Sequence, residues 1–178
     1  MFKLSKVNGF EVVFNDEACT ASTSDQRVVN MLEERWIGKK RGRELILELV
    51  EVAYLILEGR ASVKTMNGKY IRSLNELMQH EYKCFKDFFW PQLLVYKDLR
   101  DRGRRVRVVD QERFLIKDKS GDLRLVLVLE EKKMRGITDI MREVENARNN
   151  SLQLVLAIVS LQGDITYYEA NKITLEVV

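Results

Sequence analysis

The sequence predicts an α/β protein with two domains. A mixed α/β domain is expected over residues 1–84, and residues 85–178 are expected to form a mixed central sheet flanked by helices. Two observations predict this class: helical and strand-like hydrophobic patterns follow one another along the chain, and strand patterns dominate its second half. A third is a hydrophobic fraction of 46%, enough for a real core, in a chain of 178 residues that fits one domain or two small ones. The pattern changes near Lys83–Lys86, which sets the predicted boundary.

The first elements are two strands and a capped helix. The dipeptide Asn8–Gly9 favours the tight turn of a hairpin, so two short strands are predicted within the first 15 residues. Ser24 or Asp25 can accept hydrogen bonds from the first amides of a helix, and Gly38 is placed to end that helix.

A longer helix is predicted after the basic loop of residues 39–43. Its segment, RELILELVEVAYLILEG, carries apolar residues at helical spacing and ends on Gly59. A short strand is predicted over ASVKT. Ser73 and Glu76 have the spacing of a capping box, which predicts another helix over about residues 74–85.

The second half opens with a helix and continues mainly in strands. The helix begins near Asp87, carries the only proline, Pro91, in its first turn, and ends at Gly103. Strand patterns follow in RRVRVV, ERFLIK and LRLVLVLEE. Thr138 or Asp139 can cap a further helix. The apolar run SLQLVLAIVS predicts a buried strand, and ITYYEA and ITLEVV complete the series.

Charge and composition exclude several classes of protein. The formal net charge is +3 although 32% of the residues are charged, so any nucleic-acid contact must come from a local basic surface. No apolar run reaches the roughly 18 residues of a membrane span, and the first residues lack the apolar core of a signal peptide. We therefore expect an intracellular, soluble, cytoplasmic protein. Cys19 and Cys84 lack metal-ligand spacing, and two unpaired thiols are favoured over a disulfide.

A basic stretch in the middle of the chain is the first candidate site. Between Arg100 and Arg107 there are five arginines. Arg105 and Arg107 alternate with valines and therefore share one face of a predicted strand. Two interpretations stay open: a solvated helix end with a polar strand face, or a phosphate-binding surface such as that of a stand-alone RNA-binding module. The only histidine, His80, lies in a predicted helix with no nucleophile nearby.

A metal-dependent nuclease site is a second hypothesis. The strand that ends in LEEK carries Glu130 and Lys132, and Asp110 or Asp122 lies upstream. In an acid–acid–lysine site the carboxylates hold Mg²⁺, and the lysine stabilises developing negative charge. A charged strand end accounts for the same residues without any chemistry.

Two sets of segments carry the motifs of a known family. In the first half, ERWIGKKRGRELILELVEVAYLILEGRASV contains an aromatic–x–Gly–Lys turn followed by Glu-x-x-Tyr-Leu. In the second half stand VYKDLRDRGRRVRV and LQLVLAIVSLQGDITYYEA. Together, and in this order, they resemble the archaeal tRNA-splicing endonucleases over nearly the whole chain. The resemblance implies a restriction-endonuclease-like C-terminal domain. It also implies intron removal from precursor tRNA at bulge–helix–bulge sites, without a cofactor or metal.

The same resemblance implies that this chain lacks the reacting groups. The family cleaves with a tyrosine, a histidine and a lysine, which act as acid–base groups on the 2′-hydroxyl chemistry of RNA. Lys117 stands where the tyrosine is expected, and no histidine precedes the next strand. The lysine position holds Ser151 or Leu152. The resemblance therefore implies a structural, non-catalytic subunit that assembles and positions catalytic subunits of the same family in a heterotetramer.

The resemblance also implies residues that would meet partner subunits and RNA. In the family, C-terminal strands pair across subunits and an acidic loop enters a basic cleft. The corresponding interface candidates are Asp164, Tyr167, Ile173, Leu175 and Val177. The basic candidates for contact with precursor tRNA are Arg104, Arg105, Arg107, Arg142 and Lys172.

Overall fold

The computed structural model describes residues 9–86, 88–118, 120–133 and 135–171. The chain divides into two compact units, Met1–Asp87 (unit 1) and Phe88–Val178 (unit 2). Each unit has its own sheet with both parallel and antiparallel neighbours. The predicted α/β class is confirmed, and so is the mixed sheet expected in the C-terminal domain. None of the helices in the described part of the chain combines the length and hydropathy that crossing a bilayer requires.

Unit 1 is built on a six-stranded sheet with the order β3-β4-β2-β1-β5-β6. Its neighbours are antiparallel except for the pair β1 and β5, which is parallel. In chain order its elements are β1 (Phe10–Asn15), β2 (Thr20–Thr23), α1 (Gln26–Glu34), β3 (Lys39–Arg41), β4 (Glu44–Glu48), α2 (Leu49–Leu57), β5 (Ala61–Thr65), β6 (Tyr70–Ile71), α3 (Leu74–His80) and a 3₁₀ turn at Tyr82–Cys84.

The long helix predicted in this unit is in fact a strand followed by a shorter helix. Gly42 has a φ of +62° in the turn between β3 and β4, and this turn reverses the chain into a hairpin. Leu45 and Leu47 alternate with less buried residues and are fully buried, as strand periodicity requires. Because β4 pairs with β2 on one edge and β3 on the other, sheet hydrogen bonds outweigh helical propensity. The predicted end near Gly59 is confirmed.

Two other predictions of element ends had different outcomes. Asp25 accepts hydrogen bonds from the amides of Arg27 and Val28 at 2.9 and 3.4 Å, so the predicted cap of α1 is confirmed. The predicted cap at Thr138 or Asp139 is wrong, because the helix already begins one residue after Gly136. The predicted strand before Asn8–Gly9 and the strand ITLEVV lie outside the described residues.

Unit 2 is built on a five-stranded sheet with the order β11-β10-β9-β8-β7. The pair β9 and β10 is parallel and the other neighbours are antiparallel. Its elements are α4 (Phe89–Asp101), β7 (Arg105–Val108), β8 (Arg113–Lys117), β9 (Leu123–Glu130), α5 (Ile137–Asn149), β10 (Gln153–Val159) and β11 (Ile165–Ala170).

The two faces of this sheet are covered by different helices. On one face, Tyr96 of α4 packs edge-on against Phe114 of β8, with ring centroids 5.6 Å apart. On the other face, Leu127 of β9 and Leu154 of β10 form a buried cluster with Ala147 of α5. Because neighbouring residues of a strand point to opposite faces, the register assigns every strand residue to the α4 face or the α5 face.

Cys19 and Cys84 form a disulfide within unit 1, so the expectation of two unpaired thiols was wrong. The two residues are 65 positions apart in sequence, and their Cα atoms lie 5.4 Å apart. Cys19 belongs to the turn between β1 and β2, and Cys84 closes the 3₁₀ turn. Only the fold brings these turns together, and the spacing of the cysteines carried no sign of it.

Candidate functional site

The three positions assigned to a tyrosine, a histidine and a lysine lie at one end of the unit 2 sheet. Lys117 is the last residue of β8, the following turn leads into β9, and Ser151 and Leu152 precede β10. Lys117 is the cross-strand partner of Leu123. The next residue of β9 pairs with the first residue of β10. Of these three segments the first two are contiguous in sequence and the third is distant, and all of them meet at adjacent strand ends.

A surface cavity of about 540 Å³ lies between the second and third of these segments. It is lined by Gly121, Asp122, Leu123, Arg124, Asn150, Ser151, Leu152 and Gln153. Lys117 approaches the same turn, because its Cε atom lies 3.8 Å from where a β-carbon on Gly121 would stand. Among the described residues at these strand ends there is a lysine but neither a tyrosine nor a histidine.

The turn that enters β9 is organised by Asp118. One oxygen of its carboxylate accepts hydrogen bonds from the amides of Ser120, Gly121 and Asp122 at 3.0 to 3.1 Å. The Ser120 hydroxyl also donates to Asp118, and this bond is the main reason that the pKa of Asp118 lies below its ordinary value. A carboxylate held ionised in this way is a weak general base and has no proton to donate.

The segment before β10 has a structural role in the described fold. Ser151 adopts a left-handed conformation with a φ of +55°. Its amide donates to Arg148 and the amide of Leu152 donates to Ala147, both at 2.9 Å, which is the hydrogen-bond pattern of a Schellman helix end. The Leu152 side chain packs against the apolar cluster under α5. Neither residue supplies the cation that the family's lysine would provide.

The residues of the metal-site hypothesis are engaged in separate ion pairs. Asp110 receives the guanidinium of Arg113 at 2.6 Å, whereas Glu130 pairs with Lys133 at 3.5 Å. Lys132 is exposed. Across the described ranges, no group of three or more histidine, cysteine, aspartate or glutamate side chains is arranged to hold a metal ion. His80 ends α3 in unit 1, where its ring contacts Lys69.

The loop between β10 and β11 presents Asp164 to solvent. The Ser160 hydroxyl accepts hydrogen bonds from the amides of Gln162 and Asp164, and the Ser160 amide donates to the Asp164 carbonyl at 2.9 Å. Gly163 adopts a φ of +88°, which a glycine tolerates best. These bonds preform the loop, and Asp164 is exposed at its end.

Tyr167 is held inside unit 2 by its hydroxyl group. The hydroxyl donates to Asp98 of α4 at 2.7 Å, and the guanidinium of Arg102 lies over the ring at 5.7 Å. Burial, together with the neighbouring carboxylate, raises the pKa of Tyr167 above its ordinary value. Burial alone would raise the pKa of Asp98, but hydrogen bonds from Arg102 and Tyr167 hold it below its ordinary value. Tyr167 remains an interface prediction, although its hydroxyl faces α4.

The basic candidates differ in their ion pairs and exposure. Arg104 pairs with Asp118 at 3.8 Å, and Arg142 pairs with Asp139 at 3.3 Å on α5. Arg105 is exposed and Arg107 is partly buried on the same face of β7. Further candidates, Lys172, Ile173, Leu175 and Val177, lie outside the described residues.

One important residue was missed at the sequence level. Glu51 is 2% exposed and accepts hydrogen bonds from the amides of Gly38 and Glu48 at 2.8 and 2.9 Å. It is the glutamate of the Glu-x-x-Tyr-Leu motif, and Gly38 belongs to the aromatic–x–Gly–Lys turn. The two motifs of unit 1 are therefore parts of one hydrogen-bonded structure. A carboxylate within an otherwise apolar helix was the signal available in the sequence.

Comparisons with known proteins agree with the two units. The family description "tRNA intron endonuclease, N-terminal domain" matches residues 12–78, and "tRNA intron endonuclease, catalytic C-terminal domain" matches residues 89–167. A tRNA-splicing endonuclease of Thermococcus kodakarensis is 33% identical over 155 residues, which are 84% of this chain and 90% of that protein. One of Thermococcus gammatolerans is 32% identical over 90% of this chain and 97% of its own length. One of Methanococcoides burtonii is 30% identical over 77% of this chain but only 40% of its own length.

Proposed function

Because this chain belongs to the tRNA intron endonuclease family, we propose that it is the structural, non-catalytic subunit of an endonuclease that removes introns from precursor tRNA. In this role it assembles and positions catalytic subunits of the same family in a heterotetramer. The substrate sites are the bulges of a bulge–helix–bulge element. Family membership supports the removal of tRNA introns. The new part of the proposal is that this chain has the structural role and another subunit performs cleavage.

The proposal depends on which side chains lie at the candidate site. Five residues lie where the ends of β8, β9 and β10 meet: Lys117, Gly121, Asp122, Ser151 and Leu152. Cleavage through the 2′-hydroxyl needs one group to remove its proton and another to protonate the leaving 5′-oxygen. Lysine could act as one such group, but the tyrosine and histidine of the family are missing at this point. A chain that keeps the fold without these groups is suited to assembly.

The length of one relative supports the idea that two family units work together. The matched segment covers 40% of the Methanococcoides burtonii protein, which leaves room in that polypeptide for a second unit of similar size. Two family units in separate chains, one reactive and one unreactive, would likewise bring two units together. The proposed partner is accordingly a second protein of this family that carries the tyrosine, histidine and lysine.

The test is a cleavage assay with a bulge–helix–bulge RNA. We expect no 2′,3′-cyclic phosphate product from the purified chain alone, and cleavage at both bulges when a catalytic family member from the same genome is added. The Thermococcus kodakarensis relative serves as the positive control for RNA quality. Cleavage by the isolated chain that persists in the Lys132→Ala variant would contradict the proposal. Cleavage that EDTA and Glu130→Ala both abolish would support the metal-dependent alternative instead.

We further propose that Asp164 contributes to assembly of the heterotetramer. The loop is preformed by its own hydrogen bonds, so little ordering entropy is lost when a basic cleft of another subunit receives it. Asp164→Ala should weaken association with the catalytic subunit by roughly tenfold, the scale of a lost interfacial charge contact. Light scattering after size exclusion, over a range of concentrations, measures this. Asp139→Ala, another exposed carboxylate of unit 2, is the matched control, and equal effects of both variants would contradict a role for Asp164.

A further inference from the structure

Two cations face each other across the outer strands of unit 2. Arg105 of β7 and Lys117 of β8 are direct cross-strand partners in the antiparallel register. The β-carbons of such partners lie about 4.5–5.5 Å apart, so the two side chains emerge together from one face of the sheet. Val106 and Ile116, the adjacent pair, are buried on the α4 face. Arg105 and Lys117 therefore point to the α5 face.

Within the described ranges, no carboxylate lies within ion-pair distance of either Arg105 or Lys117. Like charges directly opposite one another destabilise a sheet. The chain therefore keeps an unfavourable pair at this point, and a bound anion would turn the repulsion into a favourable contact.

Three arginines in or next to the same sheet do have acidic partners. Arg104 pairs with Asp118, which is on the α4 side of the turn, and Arg124 pairs with Glu169 at 2.6 Å. Arg113, on the α5 face of β8, is held by Asp110 and by Glu143 at 3.3 Å. The pair formed by Arg105 and Lys117 thus differs from these three arginines in charge balance.

The pair also lies at the site described above. Lys117 occupies the tyrosine position, and its side chain reaches Gly121 beside the cavity between β9 and β10. We propose that Arg105 and Lys117 form a phosphate clamp that binds the backbone of precursor tRNA without cutting it. This inference rests on the proposed function, and it identifies the phosphate backbone of precursor tRNA as the ligand of the candidate site.

The chemistry of the two residues suits a phosphodiester. A guanidinium offers paired N–H donors that match two phosphate oxygens, and an ammonium adds a point charge beside it. Contacts of this kind fix the register of a nucleic acid without reading its sequence. Because the turn at Gly121 supplies no histidine and Asp118 is held ionised, a strand bound here would stay intact.

The experiment measures RNA binding by the full chain without cleavage. The probe is a fluorescent bulge–helix–bulge RNA with 2′-deoxynucleotides at the scissile positions, titrated over a range of salt concentrations. The double variant Arg105→Ala/Lys117→Ala should bind roughly tenfold more weakly at low salt and show a salt slope smaller by about 1–2. Lys117→Arg should retain the affinity of the unchanged chain.

The matched control removes the same two kinds of charge elsewhere. Lys39 and Arg43 are exposed at the hairpin of β3 and β4 in unit 1, and their double alanine variant should bind with little change. Equal losses in both double variants, no loss in either, or no measurable binding by the unchanged chain would overturn the clamp. Loss of assembly with a catalytic subunit at unchanged RNA affinity would also overturn it, in favour of a protein contact.

Folding and the proposed function are controlled separately. Arg105 is exposed and repels Lys117, so the double variant should melt no lower than the unchanged chain, and circular dichroism checks this. Failure of the proposed function appears as cleavage of an all-ribose RNA by the isolated chain. Failure of the clamp appears as unchanged binding of the deoxy-substituted probe, so the two outcomes are read from different substrates.

Discussion

Replacing Glu51 by leucine should lower the free energy of unfolding of unit 1 by about 3–5 kcal/mol. Leucine is similar in volume and apolar, but it removes the acceptor for the amides of Gly38 and Glu48. Each amide that is left without a partner inside a protein costs about 1–3 kcal/mol. The site is closed to water, since Glu51 is only 2% exposed, so solvent would not replace the lost bonds without rearrangement.

Urea unfolding followed by circular dichroism measures this effect. Glu51→Gln should lose an intermediate amount of stability. Its amide oxygen can accept from one of the two backbone amides, whereas its NH₂ group would face the other amide and cannot accept from it. Glu76→Ala removes an exposed carboxylate that accepts from the Arg72 amide at 3.0 Å, and it should cost only about 1 kcal/mol. A Glu51→Leu variant as stable as the unchanged chain would show that the two amides find other partners.

The result bears on why the two motifs of unit 1 occur together. Gly38 has a φ of +78°, and a β-carbon there would lie 2.8 Å from Leu45. The turn therefore needs glycine, and its amide needs the carboxylate of Glu51. The motif residues hold the turn after α1 against the start of α2, and this gives them a structural role.

Removing the disulfide should be the second large effect. Changing both Cys19 and Cys84 to serine should lower the free energy of unfolding by about 2–4 kcal/mol, because the bond closes a long loop and restricts the unfolded chain. The separation of 65 residues places it among the longer loops, for which this entropic contribution is larger. The native fold itself should remain, since the turn of Cys84 keeps its backbone hydrogen bonds, and the turn of Cys19 keeps the bond from the Ala18 amide to the Asn15 side chain between the paired strands β1 and β2.

Thermal unfolding with and without a reductant measures the contribution. The unchanged chain should melt at a lower temperature in reductant, and the double serine variant should not respond to it. Single serine variants should match the double variant, since either one abolishes the bond. A double variant with an unchanged midpoint would indicate that the cross-link adds nothing to the stability of unit 1.

Local signals in the sequence predicted many of the elements of unit 2. Pro91 near the start of α4, Gly103 after its end and the alternation in RVRV are short-range features, and each element follows from them. The largest error was in unit 1, where Leu45 and Leu49 fit a helical period. Residues 44–48 form a strand because β2 and β3 lie on either side of them, and those partners are not visible within the segment.

For the candidate site, the residues and their geometry have to be considered separately. Its residue content can be read from the sequence, and the absence of a tyrosine, a histidine and a lysine at the expected positions stays a prediction. Its geometry could not be read from the sequence. The meeting of Lys117 with Arg105, like the bond from Tyr167 to Asp98 across 69 residues, depends on strand register and helix packing.

By itself, therefore, the sequence determined the α/β class, many of the elements and the family resemblance. The tertiary structure decided which of these residues meet: the Cys19–Cys84 bond, the Glu51 link to Gly38 and the pairing of Arg105 with Lys117. The physical reason is the sequence distance over which each interaction acts. Capping, turns and periodicity act within a few residues, whereas register and burial are set by contacts between segments that the chain order does not reveal.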